Sequence, residues 1–199
     1  MAFSNFFSYN RYIVNENFAL SFQENSYAIQ DENGNLIGYI QEKRSTGHKI
    51  AGALIGKNML PFHLDIVDAQ GQLLLSIKRG ATLFLSKIAV TDPAGNLVGY
   101  IKQKFTMMKP KFTILGSNEA EIGTITGNWT GWNFNITAMG VEVGSINKKW
   151  NGLAKEMFTT QDKYVVTINP EASFADEYMK VMIIATATTV DMVLKEQSK

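Results

Sequence analysis

The stretches DENGNLIGYI (31–40) and DPAGNLVGYI (92–101) decide the fold. Each opens on Asp-x-x-Gly-Asn and closes on an apolar residue followed by Gly-Tyr-Ile. Asp, Asn and Gly tolerate the backbone of tight turns, so each stretch is a hairpin turn running into a strand. The closing half returns along the chain as Ile37-Gly38-Tyr39-Ile40, Val98-Gly99-Tyr100-Ile101, Ile122-Gly123-Thr124-Ile125 and Val143-Gly144-Ser145-Ile146. Leu74-Leu75-Ser76-Ile77 is a further copy without the glycine. Such self-similarity marks one supersecondary unit used repeatedly.

The strands that precede these turns alternate with period two. Phe62, Leu64 and Ile66 interleave with His63, Asp65 and Val67, and Phe134, Ile136 and Ala138 with Asn133, Asn135 and Thr137. That pattern belongs to antiparallel strands with one face inward and one wet. Five hairpins follow, at roughly 27–43, 62–79, 88–104, 112–128 and 134–150. Further strands are expected within Arg11–Phe22 and at Tyr164–Asn169, about twelve in all. A twisted sheet of that size tends to close, because open edges invite aggregation. No Pro/Ser/Gly linker interrupts the series, so residues 1–199 are expected to form a single domain.

Pro170 breaks the chain after the last strand, and Ser173-Phe-Ala-Asp176 resembles a capping box. The helix expected over Tyr178–Leu194 is apolar on nearly every side. Its uncharged core, Val181–Val190, is about half the 20 residues that a membrane span needs. A helix apolar all round and too short for lipid belongs inside protein, and a barrel of about twelve strands is wide enough to need filling. The recurring glycines share a face with Ile40 and Ile101. They either let the wall approach the helix or mark bends in the strands.

Composition narrows the chemistry. The 199 residues carry 19 Lys and Arg against 18 Asp and Glu, with no cysteine. Disulfides, thiolate catalysis and Cys-built metal sites are thereby excluded, and no bulk charge marks a nucleic-acid binder. Gly52-Ala-Leu-Ile-Gly56-Lys57-Asn58 is one residue short of a phosphate-binding loop and lacks its Ser/Thr. Asp31-Glu-Asn-Gly34 has its glycine too early for a calcium loop. The two histidines, His48 and His63, have no metal-site spacing, and no Gly-x-Ser-x-Gly elbow exists. Trp129, Trp132 and Trp150 read as packing residues. No enzyme, cofactor or metal is expected. The N-terminus lacks a basic region followed by a long apolar one, so a cytoplasmic, membrane-peripheral protein is expected.

Ile146-Asn-Lys-Lys-Trp150-Asn-Gly152-Leu-Ala-Lys-Glu156-Met-Phe158-Thr159, then Asp162-Lys-Tyr164 and an apolar helix reaching Asp191, resembles the C-terminal part of phospholipid scramblases, and equally the LURP-one-related proteins. Both belong to the tubby C-terminal-like superfamily. The resemblance implies a closed twelve-stranded antiparallel barrel around a hydrophobic C-terminal helix, and lipid or protein binding. Scramblases carry an acidic Phe-Thr-Asp-Ala-Asp-type segment, proposed to bind calcium. Here it reads Phe158-Thr159-Thr160-Gln161-Asp162, with one of the paired carboxylates absent, so no calcium site is expected.

Charge is also segregated along the hairpins. Asp31, Glu32, Asp68, Asp92, Glu119 and Glu121 lie at the turns, whereas Lys43, Arg44, Lys78, Arg79, Lys102, Lys104, Lys148 and Lys149 end the second strands. Antiparallel hairpins put these two sets at opposite rims of a barrel. The basic set is the candidate site for an anionic phospholipid headgroup at a membrane surface. The alternative is a soluble protein-interaction or structural module without lipid affinity, and scrambling itself ranks last.

Overall fold

In a computed structural model of the chain, the described residues are 5–15, 26–43, 61–80, 86–104, 111–128, 131–148, 163–172 and 177–197. A 3-10 turn (Asn5–Ser8) leads into strands β1 (Arg11–Asn15), β2 (Ser26–Gln30), β3 (Leu36–Glu42), β4 (Phe62–Asp68), β5 (Leu73–Arg79), β6 (Lys87–Thr91), β7 (Leu97–Lys104), β8 (Lys111–Gly116), β9 (Glu121–Asn128), β10 (Asn133–Ala138), β11 (Val141–Asn147) and β12 (Lys163–Ile168), and then helix α1 (Glu177–Gln197). The strands form a closed antiparallel barrel in which ring order is chain order. β1 closes it by pairing with both β2 and β12, so no sheet edge is left open. All five expected hairpins are present, and the Arg11–Phe22 strand is β1 in its described part.

One turn design recurs. In the first hairpin the Asp31 N–H donates to Asn35 O and the Gly34 N–H to Asp31 O. The same two bonds form at Asp68–Gln72, Asp92–Asn96 and Gly116–Ala120. Gly34, Gly71 and Gly95 take φ of 84°, 82° and 85° at the shared left-handed position, and Glu119 takes 63° in the fourth turn. The aspartates are structural: Asp31 Oδ1 accepts from the Asn33 and Asn35 amides, Asp68 Oδ1 from Gln70 and Gln72, and Asp92 Oδ1 from Asn96. Burial pushes the Asp31 carboxyl up, but the bonds from Asn35 and Asn33 outweigh it and hold the group below the usual carboxylate range. At Asp92 the Asn96 side chain is the main cause of the same lowering. A bulge follows each of these turns and aims the next strand's side chains.

Inside the ring, Leu64, Ile66, Leu75, Ile77, Ile88, Val90, Ile101, Phe112, Ile114, Ile125, Phe134, Ile136, Ile146 and Ile168 are buried around α1. Every residue of α1 from Val181 to Asp191 is buried, as the all-round apolar pattern requires. The helix enters at the turn end, where Tyr178 Oη donates to Val98 O at 2.6 Å. Lys180 Nζ donates to Asn10 Oδ1 at 3.1 Å and ties the helix to the loop before β1.

The close approach expected of the repeated glycines is realised. A Cβ on Gly144 would stand 2.8 Å from Thr167 O and 3.4 Å from Ile183 Cδ1 on α1. One on Gly38 would stand 2.5 Å from Val67 O and 2.9 Å from Phe6 Cε2. The missing side chains allow the neighbouring strand, and the element inside the barrel, to approach together. The capping-box residues Ser173–Asp176, the loop Gly52–Asn58, His48, Trp129, Trp150 and the segment Phe158–Asp162 lie outside the described residues. Trp132 packs on the barrel, with its ring stacked on Tyr164 at 5.8 Å and edge-on to Phe134 at 6.2 Å.

Candidate functional site

The outer wall between β3 and β8 gathers cations at the end opposite the hairpin turns. Period-two alternation sends Leu64 and Ile66 inward and His63 and Asp65 outward on β4, and Lys78 outward on β5. The registers then set basic groups against each other: His63 opposite Lys78, Lys87 opposite Lys102, and Lys104 opposite Lys111. The Lys43 amide donates to His63 O at 2.8 Å, which places Lys43 beside the first of these pairs.

One buried carboxylate anchors this face. Asp65 is 2% exposed although it points away from the barrel interior. Ser76 Oγ donates to its Oδ1 at 2.6 Å, His63 Nε2 lies 2.9 Å from the same oxygen, and Lys43 Nζ pairs with Oδ2. Burial pushes the Asp65 carboxyl up, but the Lys43 and Ser76 hydrogen bonds and the nearby His63 and Lys43 charges outweigh it, leaving the group below its ordinary range. Asp65 is therefore a fixed anion that holds Lys43 on the wall. Two other lysines reach across the tilted strands to acidic residues of the turn end: Lys87 to Glu119 at 2.9 Å and Lys104 to Glu121 at 3.1 Å. Lys78 and Lys102 are exposed and have no ion pair among the described residues.

The scramblase family's sequence profile matches residues 7–197, nearly the whole chain. The chain belongs to the scramblase family. Among curated relatives, it is 27% identical to altered inheritance rate of mitochondria protein 25 of Saccharomyces cerevisiae, over 85% of this chain and 59% of that one. Human phospholipid scramblase 1 is 26% identical over 69% of this chain and 47% of its own length. The chain thus spans about half the length of the curated relatives it matches. A protein of Arabidopsis thaliana, solved by X-ray crystallography, superposes with a TM-score of 0.52 over 91% of both chains at 12% identity, which speaks for the fold alone.

Within this scramblase-family barrel the eight basic residues picked from sequence do not form one patch. Lys43, Lys78, Lys102 and Lys104 share the wall from β3 to β7. Lys148 follows β11, six strands from β5 around the ring, and its Nζ lies 4.3 Å over the Trp132 ring. Arg79 shares the inward parity of Leu75 and Ile77 and is 2% exposed; its guanidinium lies 4.6 Å from the Phe62 ring centroid and donates to Ser86 Oγ. Arg44 and Lys149 lie outside the described residues. Lys111, expected with Lys49 and Lys109 in the basic connections at this rim, joins the face at the start of β8, whereas Lys49 and Lys109 lie outside the described residues. His63 and Lys87 join it without having been singled out, and the outward parity of β4 and β6 was the signal that would have found them. Among the described residues, no helix is long and apolar enough to cross a membrane, and no group of three or more His, Asp or Glu side chains is placed to hold a metal ion.

Proposed function

We propose that the chain is a tubby-like domain that binds, without catalysis, the anionic headgroups of a membrane surface from the cytoplasmic side, using the outer wall of β3–β8. The carrying observation is the placement of lysine opposite lysine at Lys87–Lys102 and Lys104–Lys111, with His63 opposite Lys78 beside them. Like charges directly opposite on a sheet are destabilising. Glu119 and Glu121 offset Lys87 and Lys104, which leaves Lys78 and Lys102 for a ligand that supplies negative charge. Lys78 and Lys102 lead, because no carboxylate among the described residues neutralises them, and Asp65 presents Lys43 beside them. Each lysine close to an anionic leaflet contributes about 1 kcal/mol, screened by salt. Membership of the scramblase family supports lipid association. Binding is favoured over scrambling because α1 is enclosed from Val181 to Asp191, and its release would expose the whole core.

The test is the double variant Lys78→Glu, Lys102→Glu, which spares the Lys43–Asp65 pair, in a flotation assay with phosphatidylserine vesicles. We expect vesicle binding to be lost while the melting temperature stays close to that of the parent. Undiminished binding by a folded variant would move the lipid site off this wall.

A further inference from the structure

The β10–β11 hairpin carries an apolar tip that the barrel does not use. Among the described residues, the exposed large apolar side chains are Met139, 81% exposed, and Val141, 43% exposed, two positions apart on this hairpin. Met139 also has φ of 51°, followed by Gly140 at 79°. Consecutive left-handed residues make the two-residue turn whose first position favours Asn, Asp or Gly, and a long side chain there is strained. Met139 is therefore unfavourable twice, in its backbone and in its exposure to water. Strain that a fold tolerates at an exposed position is a pointer to function.

Beside the tip is a cleft of about 630 Å³ between this hairpin and the first turn of α1, walled by Ile122, Ala138, Met139, Tyr178 and Met179. Its walls are preformed. Tyr178 is pinned to Val98 O, and the Thr124 and Thr137 hydroxyls bond each other at 2.9 Å. Glu121 is part of its lining, and Glu177 precedes the lining residue Tyr178, while Glu142 lines a separate cleft on the other side of the hairpin. Glu121 pairs with Lys104, whereas Glu142 and Glu177 are exposed and have no ion pair among the described residues. Among the described residues, no Lys or Arg is part of the lining, and Lys104 reaches it only through Glu121.

We propose that this cleft and the Met139 tip form a docking site for a protein segment with a few apolar side chains flanked by basic ones. The apolar side chains enter between Tyr178 and Met139, whose flexible thioether adapts to varied shapes, and the basic flanks meet Glu121, in competition with Lys104, and Glu177. The same carboxylates disfavour an anionic bilayer at this end. The site lies at the opposite strand ends from the lysine wall and does not depend on the lipid-binding proposal.

The experiment is methyl NMR of the full chain with labelled methionines. The probes are a synthetic amphipathic Leu/Lys peptide, its Leu/Glu counterpart, and phosphatidylcholine vesicles. We expect the Met139 and Met179 signals to move with the Leu/Lys peptide, and the Leu/Glu peptide to bind at least about tenfold more weakly. Met139→Asn suits the turn, so it is expected to keep or raise the melting temperature while weakening Leu/Lys binding by about tenfold, as loss of a central anchor does. A Leu/Lys peptide that moves neither signal, or binds Met139→Asn as well as the parent, overturns the proposal. Signals that move with the vesicles and not with the peptide would assign the hairpin to a membrane and equally overturn it.

Discussion

Gly99 on β7 and Met182 on α1 compete for one volume: a Cβ at position 99 would stand 3.1 Å from the Met182 methyl, and closer still to the Leu115 carbonyl oxygen. The wall and the helix therefore meet at a point where only hydrogen fits, and Leu115 belongs to a strand whose register is fixed on both sides. Gly99→Ala should destabilise the protein by about 1–3 kcal/mol through overpacking. Gly80→Ala, at a position with nothing within 4 Å among the described residues, serves as the control. Urea unfolding of both variants decides it; equal midpoints would mean that the helix does not press on β7.

Ile184 lies mid-helix at 3% exposure. Ile184→Asp places an uncompensated charge in the barrel interior, and we expect a loss of about 3–5 kcal/mol. A variant that melts with the parent would show α1 to be outside the barrel in solution.

Thr188 bonds back to Ile184 O at 3.0 Å, but the hydroxyls of Thr186 and Thr189 are buried with no hydrogen-bond partner among the described residues. Thr189→Val keeps the shape and removes the unsatisfied group, so it should stabilise by about 1 kcal/mol. Calorimetry showing a lowered melting temperature would point to a polar partner of that hydroxyl inside the barrel.

Asp31, Asp65 and Asp92 all have carboxyls held below their ordinary value in the folded state. A depressed folded value means that their stabilisation is complete above the unfolded value, near 3.9, and is lost as pH falls through the folded values. Thermal melts should therefore change little from these groups at neutral pH and fall steeply below about pH 4. Asp65→Asn should flatten that acid limb. An acid limb of the same slope in the variant would show that other carboxylates carry it.

Much of this was readable in the chain. Asp31-x-x-Gly34-Asn35 and Asp92-x-x-Gly95-Asn96 state the turn chemistry outright, because the aspartate and the left-handed glycine each have one job. The hairpin at 62–79 falls where the alternation places it, and α1 follows from an apolar run that neither lipid nor a surface accommodates. Function was less legible, for physical reasons. Lys-rich strand ends read alike whether a side chain points in or out; parity separates Arg79 from Lys78, and the bulges reset that parity after each turn. The burial of Asp65 on an outer face depends on three partners drawn from β4, β5 and the end of β3, a conjunction that register alone creates. Met139 looks like any turn residue until its φ is known.

The central claim, an anionic-lipid surface on the β3–β8 wall, is tested most directly by floating the parent protein with vesicles of increasing phosphatidylserine content, at low and at high salt. The account predicts binding that rises with the anionic fraction and is suppressed by salt. Equal flotation with purely zwitterionic vesicles, or none with anionic vesicles at low salt, would contradict it.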